Sequence, residues 1–184
     1  MPLAAHGEAQ HVTYYTYVDT PVGTLMLVGC PDHGLRHVSF QCGKGALAPE
    51  PDWRPSKEPF RDVERQLIEY FRGRRTRFGL RLNPKGTPFQ MSVWKALQQI
   101  SYGETRSYGE IARAVGRPRA ARAVGLANAK NPLPIVVPCH RVVGSTGALV
   151  GFGGGLPVKQ ALLDREREVS AAILARSGRR WSST

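Results

Sequence analysis

The segment that decides the fold of the second half of the chain is Ser107–Ala129, "SYGEIARAVGRPRAARAVGLANA". Ser107 and Glu110 have the S-x-x-E spacing of a capping box, which predicts a short helix that stops at Gly116. Pro118 follows at once and predicts the start of a second helix, composed almost entirely of small residues. Two short helices joined by a tight turn predict a helix-turn-helix, a unit that binds DNA in some proteins and only packs in others.

Positive charge concentrates on the same half. The chain carries 26 basic and 14 acidic side chains, a formal net charge of +12. Residues 1–86 hold 12 basic and 9 acidic groups, whereas residues 87–184 hold 14 and 5. This excess suits a polyphosphate partner, because each neutralised phosphate releases condensed counterions. The alternative is a solvated basic surface in a chain with 20 arginines and 6 lysines, and charge alone leaves both interpretations open.

Composition narrows the class of protein. Apolar residues make up 41% of the 184 residues, and no continuous apolar run approaches the roughly 18 residues that a membrane helix needs. The first residues lack the basic start and apolar block of a secretory signal. Three scattered cysteines, Cys30, Cys42 and Cys139, do not make a disulfide framework. We therefore expect a cytoplasmic protein that does not associate with membranes.

The first half of the chain has a different pattern. Short β-type runs between residues 12 and 40, separated by turn residues, predict an antiparallel meander. Residues 43–59 have the composition of a surface loop, and residues 60–72 have the four-residue apolar spacing of an amphipathic helix. A last strand is predicted at residues 76–82.

These patterns divide the chain into three parts. Residues 1–86 are predicted to form an α/β domain with a linker, and residues 87–170 a mainly helical domain. Thr87 has the residue type of an N-cap, and Pro88 suits the first position of the helix that opens the second domain. Residues 171–184 form a tail with no readable role.

The second half also contains a cysteine in an unusual place. Ile135–Val137 is predicted to be a buried strand that ends at Pro138, so that the sulfur of Cys139 can face a pocket. His140 and Arg141 supply the imidazole and the positive field that lower the pKa of a reactive thiol. The alternatives are a small buried hydrophobe or a zinc ligand, although no second Cys or His lies at ligand spacing nearby.

Several segments together are more specific than any one of them. The motif "PCHR" is preceded by "NPLPIVV", with "RAARAVGLAN" upstream and "GFGGG" followed by spaced Lys, Leu and Glu residues downstream. This set resembles the O6-alkylguanine-DNA alkyltransferases, also called methylated-DNA–protein-cysteine methyltransferases. The resemblance is dense from Thr87 to Glu168 and diffuse before Thr87. It implies a ribonuclease H-like α/β N-terminal domain and a mainly helical C-terminal domain with a helix-turn-helix.

The resemblance implies direct DNA repair. The alkyl group of O6-alkylguanine in duplex DNA would move irreversibly to Cys139, once per molecule and without cofactor or metal; O4-alkylthymine stays open as a second substrate. The protein would bind the minor groove and turn the damaged base out of the stack. Its expected partner is double-stranded DNA containing O6-alkylguanine, and its expected state is a monomer. Clustering along DNA stays open, as does association with a nucleoid.

Catalytic roles transfer residue by residue through the resemblance. Cys139 would attack the alkyl carbon, and His140, oriented by Glu166, would take the thiol proton through a water molecule. Tyr108 would contact the displaced nucleotide and donate a proton to the departing guanine. Asn131 would brace the turn that precedes the reactive cysteine.

Two further groups of residues follow from the resemblance. Arg122 would fill the space that the displaced base leaves in the stack. The residues expected at the DNA interface are Ser107, Arg119, Ala121, Arg122, Ala123 and Gly125. The residues expected to line the substrate pocket are Tyr108, Val142, Ser145, Phe152, Gly153 and Gly154.

The chain departs from the family pattern in two ways. Phe152 stands where members often have a tyrosine, so the aromatic wall is kept without its hydroxyl. Some members bind a structural zinc in the N-terminal domain. Here Cys30, His33, His37 and Cys42 do not match that pattern, and we expect no metal.

Three other classes of protein share some of these features. Alkyltransferase-like proteins resemble this chain but carry tryptophan at the position of Cys139. A transcriptional regulator could use the same helix-turn-helix but would not need a Cys-His-Glu set, and a cysteine hydrolase would turn over many times. Methyl transfer to Cys139 discriminates among these classes.

Overall fold

The first half of the chain is built on one four-stranded sheet. The structure is a computed structural model that describes residues 12–42 and 45–178. The strands are β1 (Tyr14–Thr20), β2 (Gly23–Cys30), β3 (Gly34–Phe40) and β4 (Arg54–Pro55), in the spatial order β3-β2-β1-β4. The first three strands pair antiparallel, which confirms the predicted meander, and β4 joins β1 in parallel.

The predicted amphipathic helix is confirmed as α1 (Arg61–Phe71), which buries Leu67 and Tyr70 in the core. The predicted surface loop at residues 43–59 is only partly correct. It contains β4, and Trp53 is buried in a small apolar cluster against β2. Residues 43 and 44 lie outside the described residues.

The strand predicted at residues 76–82 is wrong. Within the described chain, Leu82 alone forms a bridge there, with Leu35 of β3. The side-chain amide of Gln66 in α1 accepts a hydrogen bond from the N–H of Gly79 at 2.8 Å and donates one to its carbonyl at 3.2 Å. The backbone groups of Gly79 that a ladder would use are therefore occupied by a side chain.

The second half is mainly helical, as predicted. Its elements are α2 (Pro88–Leu97), β5 (Arg106–Ser107), α3 (Tyr108–Ala114), α4 (Ala121–Ala129), β6 (Val142–Val143) and α5 (Leu156–Gly178). Strands β5 and β6 form a short parallel pair. The predicted capping box of Ser107 with Glu110 is present, and Thr87 caps α2 in the same way with Gln90.

The connection between α3 and α4 is longer than predicted. Pro118 does not start a helix; it lies in a β-turn closed by a 2.8 Å bond from the N–H of Ala120 to the carbonyl of Arg117. Helix α4 therefore begins at Ala121, and Arg119 lies on the turn rather than on the helix.

The strand predicted at Ile135–Val137 is also wrong, although all three side chains are buried. The segment is a turn in which the N–H of Val137 bonds to the carbonyl of Leu133 at 2.8 Å and Ile135 adopts a φ of 72°. Three prolines between residues 132 and 138 remove the N–H donors that a ladder needs. Extended pairing is delayed until β6, after the cysteine motif.

The two halves share one apolar core. Leu25 and Leu67 from the first half and Leu97, Leu133 and Leu162 from the second belong to a single cluster of buried side chains. Such a continuous cluster excludes water from the boundary between the halves. Over the residues that the structure covers, no helix is long and apolar enough to cross a bilayer.

Hydrogen bonds cross the same boundary. The N–H of Val38 in β3 donates to the carbonyl of Pro132 at 2.8 Å, and Arg165 Nη2 in α5 donates to the carbonyl of Phe71 at 2.6 Å. The first half therefore contacts both the turn before Cys139 and helix α5, which follows the loop at residues 144–155.

Candidate functional site

Cys139 lies in a 3₁₀ turn, Cys139–Arg141, between the proline-rich turn and β6. Its residue surface is 4% exposed. Burial raises the pKa of the Cys139 thiol to about 11, although a hydrogen bond from Asn131 and the charge of Lys159 act in the opposite direction. The thiol is therefore neutral at pH 7 and needs a base at the moment of reaction.

His140 is fully buried beside this thiol in the chain, and its Nε2 lies 2.8 Å from Oε1 of Glu166. Because an ionised carboxylate only accepts hydrogen bonds, Nε2 carries the proton and Nδ1 carries the lone pair. Nδ1 is buried without a hydrogen-bond partner among the described residues. Burial lowers the pKa of His140, more than its bond to Glu166 raises it, so the imidazole is a neutral base.

Glu166 in α5 is the centre of the buried polar network. Its Oε1 accepts hydrogen bonds from Tyr70 Oη at 2.7 Å, His140 Nε2 at 2.8 Å and Arg141 Nη2 at 2.9 Å. Its Oε2 accepts from Arg141 Nε at 2.8 Å and from the N–H of Gly103 at 3.1 Å. Burial alone would raise the pKa of Glu166, but the bonds from His140 and Arg141 outweigh it and lower the pKa to about 2.

Arg141 has a different partner from the one that the sequence indicated. Its guanidinium binds Glu166, donates from Nη1 to the carbonyl of Ile100 at 2.6 Å, and lies 5.5 Å from the ring centroid of Tyr102. The cation whose charge acts on the thiol is Lys159 instead. The expectation that Arg141 supplies the field at Cys139 is therefore corrected.

Lys159 in α5 is fully buried and had no role assigned from the sequence. Its Nζ donates to the carbonyl of Val142 at 2.6 Å and to that of Val150 at 2.7 Å. One ammonium group thereby joins β6 to the middle of the loop at residues 144–155, here named the active-site loop, and brings a positive charge towards Cys139.

Asn131 braces the turn before Cys139. Its side chain accepts from the N–H of Leu133 at 3.0 Å and donates to the carbonyl of Val137 at 2.8 Å, in addition to its contact with the thiol. The single side chain thus fixes both ends of the turn that carries the cysteine.

Tyr108, at the start of α3, lies close to Cys139. It is half-buried, and its pKa is raised first by burial and then by interaction with Cys139. The ring faces Gly125 of α4, where a Cβ atom would lie 3.8 Å from the ring. The ring of Tyr108 therefore packs close to the backbone of α4 at Gly125.

The predicted pocket residues divide into buried and exposed groups. Val142 is fully buried, Phe152 is half-buried with its ring centroid 6.4 Å from that of His140, and Ser145 and Gly153 are exposed. A Cβ atom at Gly154 would lie 3.1 Å from the ring of Phe40 in β3. The contact with Phe40 thus leaves little room for a larger residue at Gly154, which the sequence did not indicate.

The outer face of α4 presents small side chains and one long cation. Arg122 and Ala123 are exposed, and Ala121 and Gly125 are half-buried. Arg122 forms no hydrogen bond or ion pair with any residue in the part of the chain that the structure describes. The inner face is anchored by Trp94 of α2, whose Nε1 donates to the carbonyl of Ala127 at 2.9 Å.

Two of the predicted interface residues are used differently from Arg122. Arg119 is exposed on the turn before α4. The hydroxyl of Ser107 is occupied by the capping box, donating to Glu110 Oε2 at 2.7 Å and accepting from the N–H of Glu110 at 3.2 Å.

Among the described residues, no group of three or more His, Cys, Asp or Glu side chains is arranged to hold a metal ion.

Sequence reasoning missed three members of the network around Glu166. They are Tyr70, Gly103 and Arg141, which was expected to act on the thiol and instead binds Glu166. Tyr70 is 96 positions away from Glu166 in the sequence, and Gly103 contributes only a backbone N–H. The one available signal was the tyrosine on the buried stripe of α1, because a buried hydroxyl needs a polar partner.

Comparison with known proteins agrees with this architecture. The sequence model described as 6-O-methylguanine DNA methyltransferase, DNA binding domain, matches residues 88–168, and that of the ribonuclease-like domain of the same protein matches residues 13–84. A methylated-DNA–protein-cysteine methyltransferase of Methanosarcina barkeri is 50% identical over 153 residues, which cover 83% of this chain and 96% of the relative. Its counterpart in Mycobacterium tuberculosis is 47% identical over 162 residues, covering 88% and 96%.

Solved structures give the same result. A crystal structure of Mycobacterium tuberculosis OGT in complex with DNA superposes with a TM-score of 0.78 at 47% identity, covering 85% of this chain and 94% of that one. A structure described as Mycobacterium tuberculosis O6-methylguanine methyltransferase gives a TM-score of 0.77 over the same share of both chains. The chain therefore belongs to the 6-O-methylguanine DNA methyltransferase family, the methylated-DNA–protein-cysteine methyltransferases that repair DNA by alkyl transfer.

Proposed function

We propose that this protein removes the alkyl group from O6-alkylguanine in duplex DNA by transferring it to Cys139. The sulfur attacks the alkyl carbon in line with the C–O bond; an S–C bond forms as the C–O bond breaks. The thiol proton passes through a water molecule to Nδ1 of His140. The departing guanine anion takes a proton from Tyr108, which regains one from solvent. The thioether is stable, so each molecule reacts once.

The pKa values favour a base that acts during the reaction rather than a standing thiolate. Burial raises the pKa of the Cys139 thiol to about 11, and burial also keeps His140 neutral. Glu166, ionised because its pKa is about 2, is ready to stabilise the imidazolium that forms when His140 takes the proton. Each of the three groups thus has the protonation state that its proposed role needs.

Burial of the sulfur also supports base displacement. With Cys139 only 4% exposed, a guanine stacked inside a duplex cannot bring its O6 substituent to the sulfur. We infer that α3 and α4 act as a helix-turn-helix that enters the minor groove, with the small residues Ala121, Ala123 and Gly125 allowing close approach. Arg122 would then occupy the vacated position in the stack.

The domain boundary, assembly and location follow as further proposals. A boundary at residues 86 and 87 corresponds to the start of the capped helix α2. One chain carries every residue of the proposed site, so a monomer is sufficient for the reaction. O4-alkylthymine as a second substrate and clustering along DNA are outcomes for the same assay to resolve, and a cytoplasmic or nucleoid location suits a DNA substrate.

The observation that carries this proposal is the buried set of Cys139, His140 and Glu166, with a neutral imidazole whose Nδ1 is hydrogen-bonded to none of the described residues. The test is incubation with duplex DNA containing one O6-methylguanine, followed by peptide mass analysis. We expect a single methyl increment on the peptide that contains "PCHR" and unmodified Cys30 and Cys42. Methylation of those two cysteines, or an unmethylated protein with unrepaired DNA, contradicts the assignment.

A further inference from the structure

A residue of the first half of the chain reaches the centre of the proposed catalytic network. Tyr70 lies on α1 and is fully buried. Its hydroxyl lies 2.7 Å from Oε1 of Glu166. Since an ionised carboxylate is only an acceptor, the tyrosine is the donor in this bond. The ring is held on three sides by Phe71, Phe78 and Tyr102.

The same carboxylate oxygen that accepts from Tyr70 also accepts from His140. Oε1 of Glu166 is 2.8 Å from Nε2 of His140, and Arg141 Nη2 completes its set of three donors. The position of Oε1 therefore determines the direction of the imidazole ring and of its Nδ1. The hydroxyl bond also withdraws negative charge from the oxygen that would stabilise a protonated His140.

We propose that Tyr70 is a positioning residue for alkyl transfer, acting through Glu166 on His140. The inference rests on the proposed function, because it requires His140 to serve as the base for Cys139. It assigns the N-terminal domain a part in the reaction itself, beyond packing. Without the Tyr70 hydroxyl, Oε1 of Glu166 accepts from His140 and Arg141 only and carries more negative charge. The protonated form of His140 is then more stable. The imidazole ring is also less well aligned, because the position of Oε1 is less constrained.

The groups that face His140 and Glu166 come from four parts of the chain. They are Tyr70 on α1, Tyr102 after α2, Cys139 and Arg141 in the 3₁₀ turn, and Lys159 on α5, with Arg165 of α5 acting on Tyr102. The cations and Cys139 are unchanged when Tyr70 is replaced by phenylalanine. If the rate of methyl transfer is measured as a function of pH, a shift of the pH at which the rate falls on the acidic side, here called the acidic limb, is therefore due to the lost hydroxyl.

Tyr102 provides a matched control. Its ring centroid lies 5.8 Å from that of Tyr70, in the same aromatic group. Its hydroxyl is buried but has no hydrogen-bond partner among the described residues. Tyr70→Phe and Tyr102→Phe therefore remove the same atom from neighbouring rings, and only the first removes a bond to Glu166.

The experiment measures the single-turnover rate of methyl transfer from O6-methylguanine duplex to Cys139 between pH 5 and pH 9. For Tyr70→Phe we expect the acidic limb to move up by about half a pH unit or more, which lowers the rate by about threefold at pH values on that limb. Tyr102→Phe should follow the wild-type profile. The imidazole titration of His140, followed by NMR in the Cys139→Ser background, should move up in parallel.

A double variant tests the route through Glu166. In the Glu166→Gln background, adding Tyr70→Phe should change the rate no further, because the charge on which Tyr70 acts is gone. A Tyr70→Phe profile that superposes on the wild type, an equal shift for Tyr102→Phe, or a full additional loss in the double variant would each overturn the inference. If the wild type itself transfers no methyl to Cys139, the proposed function fails instead.

Discussion

The buried network around Glu166 and the outer face of α4 place charged side chains in opposite environments. Around Glu166, one carboxylate accepts hydrogen bonds from five donor groups that come from three separated segments. On α4, Arg122 extends from a helix of small residues and contacts no described polar group. The first arrangement fixes protonation states, and the second keeps a cation available for an external partner.

The two regions differ in how far apart their residues lie in the sequence. Helix α4 consists of nine consecutive residues, so its small side chains and its exposed arginine can be predicted directly from the sequence. The network exists only when α1, the segment after α2, the 3₁₀ turn and α5 meet. Changes to the two regions should therefore separate cleanly into effects on chemistry and effects on DNA handling.

The largest effect is expected from His140→Ala. Loss of a general base typically costs about 10²–10⁴-fold in rate, and transfer should slow by that order both from duplex DNA and from a free O6-alkylguanine base. Affinity for duplex should be unchanged, because His140 is fully buried. Single-turnover rates and a DNA-binding titration measure both quantities.

The pH dependence of the His140→Ala variant provides its control. With the pKa of the Cys139 thiol at about 11, the thiolate fraction rises with pH up to that value, so alkaline buffer should restore part of the lost rate. A rate that stays flat between pH 7 and pH 10 would show that His140 does more than remove the thiol proton.

The next effect concerns acid stability. The pKa of Glu166 is lowered from 4.5 to about 2 in the folded protein, so ionised Glu166 contributes stability above pH 4.5 that is lost as the pH falls towards 2. The contribution is about 3 kcal/mol at neutral pH. Urea unfolding at several pH values should therefore show a steeper acid loss for the wild type than for Glu166→Gln.

Other carboxylates titrate in the same window but are common to both proteins. Asp62, Glu69 and Glu110 also have lowered pKa values, from hydrogen bonds to Arg65, Arg75 and Ser107 respectively. Their contribution cancels in the difference between wild type and Glu166→Gln. Parallel acid profiles for the two proteins would mean that the network does not hold Glu166 ionised.

A smaller effect, confined to duplex substrate, is expected from Arg122→Ala. If this arginine fills the space of the displaced base, repair of duplex should slow by about tenfold or more, since displacement costs a few kcal/mol that the wedge helps to offset. Transfer from a free O6-alkylguanine base should be unaffected. Single-turnover assays on the two substrates give the ratio directly.

Arg61→Ala is the matched control for charge. Arg61 is exposed on α1 of the N-terminal domain, and its removal lowers the net charge equally. It should weaken duplex affinity only slightly and leave the ratio of the two rates unchanged. An equal loss on both substrates for Arg122→Ala would mean that Arg122 supports the fold or the thiol, and the wedge assignment would be abandoned.

The sequence predicted features that depend on nearby residues, and it did not predict features that depend on residues far apart in the chain. The capping box of Ser107 and the N-cap at Thr87 depend on residues at most three apart, and both were predicted; the partner of Thr87, Gln90, was not. The strand predicted at Ile135–Val137 failed because apolar β-branched residues describe burial as well as pairing, and the prolines around them prevent pairing. No role was predicted for Tyr70, because nothing near it in sequence indicates Glu166.

The smallest effect tests where the two domains meet at the active-site loop. Gly153 and Gly154 are neighbours, yet a Cβ atom at Gly154 would lie 3.1 Å from the ring of Phe40, while one at Gly153 would meet nothing within 4 Å. Gly154→Ala should therefore lower the free energy of unfolding by about 1 kcal/mol through overpacking, and Gly153→Ala should leave it unchanged or slightly higher. Urea denaturation at neutral pH measures the difference.

A compensating change makes this last prediction specific to the domain contact. Phe40→Leu shortens the side chain that a Cβ atom at Gly154 would meet, so the combined Gly154→Ala and Phe40→Leu variant should lose less stability than the sum of the two single variants. Strict additivity would mean that the strain of Gly154→Ala lies in the loop backbone rather than against Phe40. Because Phe40 also packs on Phe152 at 5.5 Å, which is in turn beside His140, relief at this contact would show that the N-terminal sheet supports the loop around the reactive site.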